Sequence, residues 1–330
     1  MISFWRRKTQ APCLLHWNHK NPSVLLCRPI GGFADILFLI HTCLQYAKTY
    51  HRTLIIDTEL SGFKDSFSYY FELQHPLPTA VLTKFPKELL PILATYHSLQ
   101  PSLKNKIGFD KFNYNTVYDE SSKTYLEADS LLPIRFDLNQ DNNSELLIYH
   151  HSDGFCAEDI TTLGMFSYFN VLPEISNIIY HRIKHIVSGN EYEAIHIRST
   201  DYKTDYKEFY KKIKPQISKP IILICSDNLN AINDARKYFK EHTVLTTGSY
   251  ASLDNTKLHG IKTLKVINYH RNVEMLTDLF ALSGASKLYV SEVVTLKYEK
   301  IEPRLTGFSK IAYHLQKHQG QRAAFFKVKN

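Results

Sequence analysis

An α/β fold in two halves is what the sequence predicts, and three observations carry it. Short β-rich runs alternate with longer segments of helical period along the 330 residues. Two of the runs, Leu146-Leu-Ile-Tyr149 and Ile221-Ile-Leu-Ile-Cys225, are apolar on both faces, as strands inside a parallel sheet must be. A long helical stretch between Gly154 and Tyr192 joins two such sets of strands. The length suits two domains of ordinary size, so the boundary is placed at 165/166, with one α/β half over 1–165 and another over 166–330. Two halves of this kind facing a cleft would hold ligands at the carboxyl ends of their strands.

In chain order, strands are expected at 24–27, 53–57, 146–149, 194–198, 221–226, 244–246, 266–269 and 288–291. Helices are expected at 34–49, 167–186, 205–214, 228–240, 272–283 and 306–317, the last with Thr306 as its cap. The stretch from 105 to 143 is polar, irregular and rich in Asn, Asp, Lys and Tyr. It reads either as an excursion toward an acceptor or as a plain surface loop.

Composition narrows the function classes. An apolar fraction of 44% and a charged fraction of 22% describe a soluble globular protein. A net charge of +8 suits an anionic partner or ordinary solubility. The five cysteines, Cys13, Cys27, Cys43, Cys156 and Cys225, are odd in number, widely spaced and without a CxxC pair. That argues against a disulfide framework or a structural zinc site and fits a reducing, cytoplasmic compartment better. The first residues lack the order of a secretory signal, and apolar stretches such as 36–40 are too short to span a bilayer. The expectation is a cytoplasmic protein, at most peripheral to a membrane. The tail 319–330, with Arg322, Phe325, Phe326, Lys327 and Lys329, would give such contact only weakly. No interleaved basic and aromatic motif supports nucleic-acid binding.

The strongest motif is Ala194-Ile-His-Ile-Arg-Ser-Thr-Asp-Tyr202. Strand alternation puts His196 and Arg198 on one face near the strand's end. Arg198 offers a rigid fork of donors suited to diphosphate oxygens. Asp201 can orient that arginine or accept a proton from an acceptor hydroxyl. A second strand ends in Ser226 and Asp227, and the plain role of Asp227 is to cap the helix that follows. An amphipathic helix then carries Asp278. The segment Thr306-Gly-Phe-Ser-Lys-Ile-Ala-Tyr-His-Leu315 sets hydroxyls of Thr306 and Ser309 beside a helix N-terminus, a ready diphosphate site or a plain cap. Nearer the start, Arg28-Pro-Ile-Gly-Gly-Phe-Ala-Asp35 follows a strand and opens a helix around Gly32. It has neither the third glycine of a dinucleotide fingerprint nor a P-loop lysine. Its glycines serve close approach of a ligand or tight local packing.

In this order the motifs resemble the fucosyltransferase superfamily. They comprise Gly-Gly-Phe-Ala-Asp-Ile-Leu with Arg52-Thr-Leu-Ile-Ile-Asp57, then His196-x-Arg198-x-x-Asp201, Ser226-Asp227, Asp278 and Thr306 to Tyr313. The likeness runs from about Cys27 to Leu315, and is nearest to the α1,6-fucosyltransferases, including those acting on chitin oligosaccharides. It implies a GT-B fold with two Rossmann-like domains, the first on the acceptor side and the second on the donor side, and a final helix packing back toward the first. It implies GDP-fucose as donor, inversion at the anomeric carbon and no obligatory metal. By position, His196 would lie near the nucleoside and Arg198 at the β-phosphate. Asp278 would meet guanine, and Thr306 and its helix end would meet the diphosphate. The chain also has no Asp-x-Asp pair, the usual ligand set of a metal-bound diphosphate, which agrees with stabilisation by arginine and helix dipole.

Three departures qualify the likeness. Ser199 stands where a second arginine is common, and Tyr206 stands where the α1,6 enzymes carry a glutamate base. The base is then Asp201 or Asp205. About ten extra residues near 292–301 precede the final helix, so the donor sugar could differ from fucose. The expected partners are a nucleotide-sugar donor and a growing glycan, lipid-linked or free, with no nucleic acid and no cofactor. The competing readings are a GT-B enzyme with another nucleotide sugar and a non-enzymatic sugar-binding or nucleic-acid-binding protein. His150-His151 before Ser152-Asp153-Gly154 is a weak metal signal, since adjacent strand residues face opposite ways. Tyr69, Tyr70 and Phe71 read as sugar-stacking or, more simply, core.

Overall fold

The computed structural model describes residues 23–74, 77, 79–99, 116–119, 121, 124–127, 131, 139–149, 164–199, 204–248, 265–297 and 300–327. Asp201, the 150–154 segment, Cys13 and Cys156 lie outside them. In the first part of the chain β1 (Val24–Cys27), α1 (Phe33–Thr49) and β2 (Thr53–Ile56) are followed by β3 (Phe71–Leu73), β4 (Val81–Leu82) and α2 (Leu90–Thr95). Next come β5 (Thr116–Asp119), β6 (Thr124–Glu127), β7 (Leu146–Tyr149), β8 (Phe169–Val171) and α3 (Pro173–Ile186). Then follow β9 (Glu193–Ile197), α4 (Tyr206–Ile213), β10 (Ile221–Ser226), α5 (Leu229–Tyr238), β11 (Thr243–Thr246) and α6 (Lys265–Gly284). The chain closes with β12 (Lys287–Val290), β13 (Val293–Lys297), β14 (Lys300–Arg304), α7 (Gly307–Lys317) and α8 (Gln319–Phe325).

Two compact units result. One is drawn from Met1–Arg28, Thr42–Asp57 and Leu77–His151, the other from Pro29–His41, Thr58–Pro76 and Ser152–Asn330. The first holds a parallel sheet in the order β4-β2-β1-β7, with Val24 opposite both Thr53 and Leu146. All four residues of β1 and of β7 are buried, which is why both runs are apolar throughout. Arg52 enters this interior with its donors satisfied: Nε reaches Asp141 Oδ1 at 2.8 Å, Nη1 donates to the Ser144 carbonyl at 3.1 Å, and Nη2 donates to the Asn142 carbonyl. A buried guanidinium is tolerable only when paired in this way. At the carboxyl ends of β1 and β2 a second buried pair joins Arg28 Nε to Asp57 Oδ2 at 3.0 Å.

The second unit holds a parallel sheet in the order β11-β10-β9-β12. Its core on one face joins Ile195, Ile197, Ile222 and Ile224 to Tyr210 and Ile213 of α4 and to Ile232 and Ala235 of α5. Burial of such side chains contributes about 1.5–3 kcal/mol each. The C-terminal segment is docked rather than frayed. Arg322 Nε donates to Ser283 Oγ at 3.0 Å, and its guanidinium lies 4.2 Å from the Phe280 ring. Phe325 and Phe326 are 0% and 2% exposed, so the tail's aromatics are core and not available to a membrane. Tyr70 and Phe71 are likewise core, whereas Tyr69 is exposed. No described helix is long and apolar enough to cross a membrane.

Two expected elements are corrected. Residues 266–269 read as a strand from their Val, Ile and Tyr content, but they belong to α6. Asn268, Arg271 and Asn272 of that helix donate to the carbonyls of Lys64, Gly62 and Phe63, and these contacts override local propensity. The helix expected from 167 begins at Pro173, because proline favours a first helical turn and biases the residue before it toward extended backbone. Phe169–Val171 instead pairs antiparallel with β3. The polar 105–143 stretch contains the hairpin β5–β6, and the extra residues before the last long helix form the hairpin β13–β14.

One backbone contact sets the start of α1. Gly31 has φ +94°, and its carbonyl accepts from the Gly62 amide at 2.9 Å. A Cβ on Gly62 would fall inside the contact distance of that carbonyl oxygen, with only backbone to give way. Gly62→Ala is therefore expected to cost about 1–3 kcal/mol and to lower the melting temperature by at least about 2 °C. Gly320→Ala, which meets nothing within 4 Å on a helix, should leave it unchanged or raise it. Thermal unfolding of the two variants checks both.

Candidate functional site

The carboxyl ends of β9 and β10 open onto a pocket of about 400 Å³, the size of a small-molecule site. All its lining residues belong to the second unit. Strand register builds it. Cys225 lies beside His196 and Ser226 beside Ile197, so the residues leaving the two strands are neighbours. Arg198 thereby meets Asp227, with Nη1 to Oδ2 at 2.8 Å. The other carboxylate oxygen of Asp227 accepts from the Ser199 amide at 2.9 Å.

This corrects the expected cap. Asn228 caps α5, its Oδ1 accepting from the amides of Asn230 at 2.8 Å and Ala231 at 3.4 Å. Asp227, one residue earlier, is drawn to the guanidinium of Arg198. Asp227 thus orients the Arg198 guanidinium, while Asp201 lies outside the described residues. Ser226 lines the pocket, and its Oγ accepts from the Asn228 amide at 3.1 Å.

His196 is 7% exposed and faces the pocket. Burial pushes its pKa down to about 4, helped by the positive charge of Arg198 and opposed by Asp227, so the imidazole is neutral at pH 7. Its Nδ1 lies 2.8 Å from Ser309 Oγ, which lies 2.8 Å from Thr306 Oγ1. Thr306 is the N-cap of α7 and accepts from the Ser309 amide at 3.3 Å. A chain of hydroxyls thus ties β9 to the N-terminus of α7. Thr306, Gly307 and Phe308 line the pocket, while Ser309 is fully buried behind them. The helix end brings free amide donors and partial positive charge to the pocket wall.

One face of α6 supplies Arg271, Glu274 and Asp278, spaced three and four residues apart. Asp278 accepts from Thr247 Oγ1, and burial raises its pKa to about 6 despite that bond. Arg182 pairs through Nη1 with Glu274 and donates through Nη2 to the Thr247 carbonyl at 2.5 Å. On the opposite side of the sequence, Gly31, Gly32 and Asp35 line the pocket with Gly62 and Phe63, the Gly32 amide donating to Asp35 Oδ2 at 2.9 Å. Phe63, Phe33, Phe308 and His196 form a row of rings with successive centroids 5.9, 5.9 and 5.4 Å apart.

The pocket therefore gathers His196, Arg198, Ser226, Asp227, Asp278, Thr306 and Gly32 of the residues expected from sequence. Asp205 is not among its lining residues; its carboxylate caps α4 through the Glu208 amide at 3.0 Å. Sequence reasoning missed Arg271, Glu274 and Thr247. Arg271 lies beside the segment misread as a strand, and no spacing marks Thr247. Asp35 sits inside the glycine turn already singled out, so its position was legible although its role was not. Among the described residues no group of three or more His, Cys, Asp or Glu side chains is arranged to hold a metal ion.

The arrangement can bind an anion between an anchored arginine and a helix N-terminus, beside a polar wall whose carboxylates accept hydrogen bonds. The sequence matches no protein-family model. The comparison with curated proteins likewise finds no match. Solved structures do match. The fucosyltransferase NodZ from Bradyrhizobium superposes with a TM-score of 0.56 at 15% identity, over 88% of this chain and 91% of that one. The NodZ α1,6-fucosyltransferase soaked with GDP-fucose gives 0.57 at 16%, over 89% and 92%. The form co-crystallised with GDP gives 0.56 at 17%, over 88% and 92%. With a parallel sheet in each unit and this extent of superposition, the chain has the GT-B fold.

Proposed function

We propose that the protein is an inverting glycosyltransferase that moves fucose from GDP-fucose to a hydroxyl of a glycan. The observation that carries this reading is the pairing of Arg198, anchored by Asp227, with the N-terminus of α7 on one pocket. Together they offer a fixed positive field where a diphosphate would sit and where negative charge grows as it leaves. The likeness to structures solved with GDP-fucose and with GDP supports the same ligand class.

In this reading the acceptor oxygen attacks the anomeric carbon from the face opposite the diphosphate. The new C–O bond forms as the bond to the β-phosphate oxygen breaks, and GDP departs with the electron pair. A carboxylate takes the acceptor's proton. Asp201, three residues past Arg198, is our choice over Asp205, whose carboxylate is engaged in capping α4. Arg198 and the Thr306 helix end hold the leaving diphosphate, so no metal is needed. His196, neutral and tied to Ser309, packs beside the nucleoside without adding charge. Ser226 and Gly32 border the same site, and Asp278 accepts from the base. The second unit is then the donor side, and the first carries the acceptor, a growing glycan, lipid-linked or free. The free, buried thiols of Cys27, Cys43 and Cys225 suit a cytoplasmic setting.

A second reading keeps the fold and changes the donor sugar. The hairpin β13–β14 immediately before the Thr306 cap, and Ser199 after Arg198, are the observations that favour it.

Titration calorimetry with GDP, UDP, CMP and dTDP decides between them. Selective GDP binding, weakened about a hundredfold or more by Arg198→Ala, is the expected result. Asp227→Asn, which leaves the guanidinium in place but poorly anchored, should weaken it less. Selective binding of another nucleotide would retain the transferase and remove fucose.

The wall carboxylate gives a pH signature. Asp278 has its pKa raised to about 6, and an acceptor of base N–H donors must be ionised. GDP affinity should therefore rise as pH increases through about 6 and level off above it, with proton release on binding near pH 6. Asp278→Asn should flatten that rise. Calorimetry in buffers of different ionisation enthalpy reads both effects.

A further inference from the structure

Strand β9 supplies Arg198 but no second cation, since the next residue is Ser199, with its amide committed to Asp227. The pocket is otherwise acid-rich: Asp35, Asp227, Glu274 and Asp278 line it, against Arg198 and Arg271. Arg198 is already partly neutralised by Asp227. A nucleoside diphosphate entering such a pocket brings further negative charge, which a partly dry site accepts only against matching positive charge.

Arg271 is placed to supply it. It projects from the face of α6 that also carries Glu274 and Asp278, is 8% exposed, and lines the pocket with Gly31, Gly32 and Thr306. Its Nη2 donates to the Gly62 carbonyl at 2.9 Å. That bond uses one N–H and fixes the plane of a guanidinium that keeps its charge and carries its donors in a rigid fork. Gly62 in turn holds Gly31 through its own amide, so the fork is registered to the turn that opens α1. We infer that Arg271 is the second cation of the diphosphate site, reaching from α6 the phosphate oxygens that Arg198 holds from β9. The inference rests on the reading of this pocket as a nucleotide-sugar site, and it does not depend on which base or sugar is bound.

A brace and a phosphate ligand can be told apart. Arg271→Gln keeps an amide donor for the Gly62 carbonyl and removes the charge, whereas Arg271→Lys keeps the charge and loses the fork. Both are titrated with GDP and GMP, and with UDP and UMP, at low and high salt, alongside thermal unfolding. Arg271→Gln is expected to lose about tenfold or more in diphosphate affinity, with a clearly smaller loss for the monophosphate and a weaker salt dependence. Arg271→Lys should recover part of the loss. Equal losses for diphosphate and monophosphate with a lowered melting temperature would make Arg271 a brace and overturn the inference. So would diphosphate affinity within about twofold of wild type. Arg271-dependent binding of UDP in place of GDP would uphold the second cation while removing the fucose reading. A wild-type protein that binds neither diphosphate would overturn both.

Discussion

Strand β9 has no side that faces water. All five of its residues are buried, and it lies between β10 and β12 in a parallel sheet, so its register is fixed from both edges. A slip by one residue would turn every side chain to the opposite face and would carry Ile195 and Ile197 out of the core they share with α4 and α5. The same register decides where the chain leaves the sheet. It brings the end of β9 beside the end of β10, and from that adjacency come the Arg198–Asp227 pair, the Ser199 amide bond and the facing of His196 toward α7. The apolar core thus specifies the position of the polar site.

Inside the pocket the charges are arranged rather than merely present. Asp227 and Glu274 each have an arginine, and Asp278 has a hydroxyl donor and a raised pKa. His196 is kept neutral by burial and by Arg198. Neutral histidine matters beside a guanidinium, because a second positive charge there would repel Arg198 and be costly to bury. The N-terminus of α7 contributes backbone amides, which carry no net charge and are fixed in orientation by the helix.

Much of this was legible in the sequence where one physical cause dominates. Runs apolar on both faces identified β7 and β10, and the Thr306 boundary followed from capping chemistry. The His-x-Arg motif identified one wall of the pocket because strand alternation is a strict rule. What was not legible depends on distant partners. The start of α6 answers to carbonyls about two hundred residues away, at Gly62, Phe63 and Lys64, and local propensity there points to a strand. Asp227 was assigned to the helix after it because nothing in a linear reading says that its nearest cation comes from the neighbouring strand. Arg271 and Thr247 belong to the same class of residue, recruited by tertiary contact without a spacing of their own.

The hairpin β13–β14 has one further property. Val293 pairs with Arg304, so the chain enters and leaves the ribbon one strand spacing apart, directly ahead of Thr306. Its two ends are clamped to each other and not only to their surroundings. The length and composition of the ribbon can therefore drift across generations while the turn that follows stays where it is. The ribbon is accordingly a natural place for a peptide tag to be grafted.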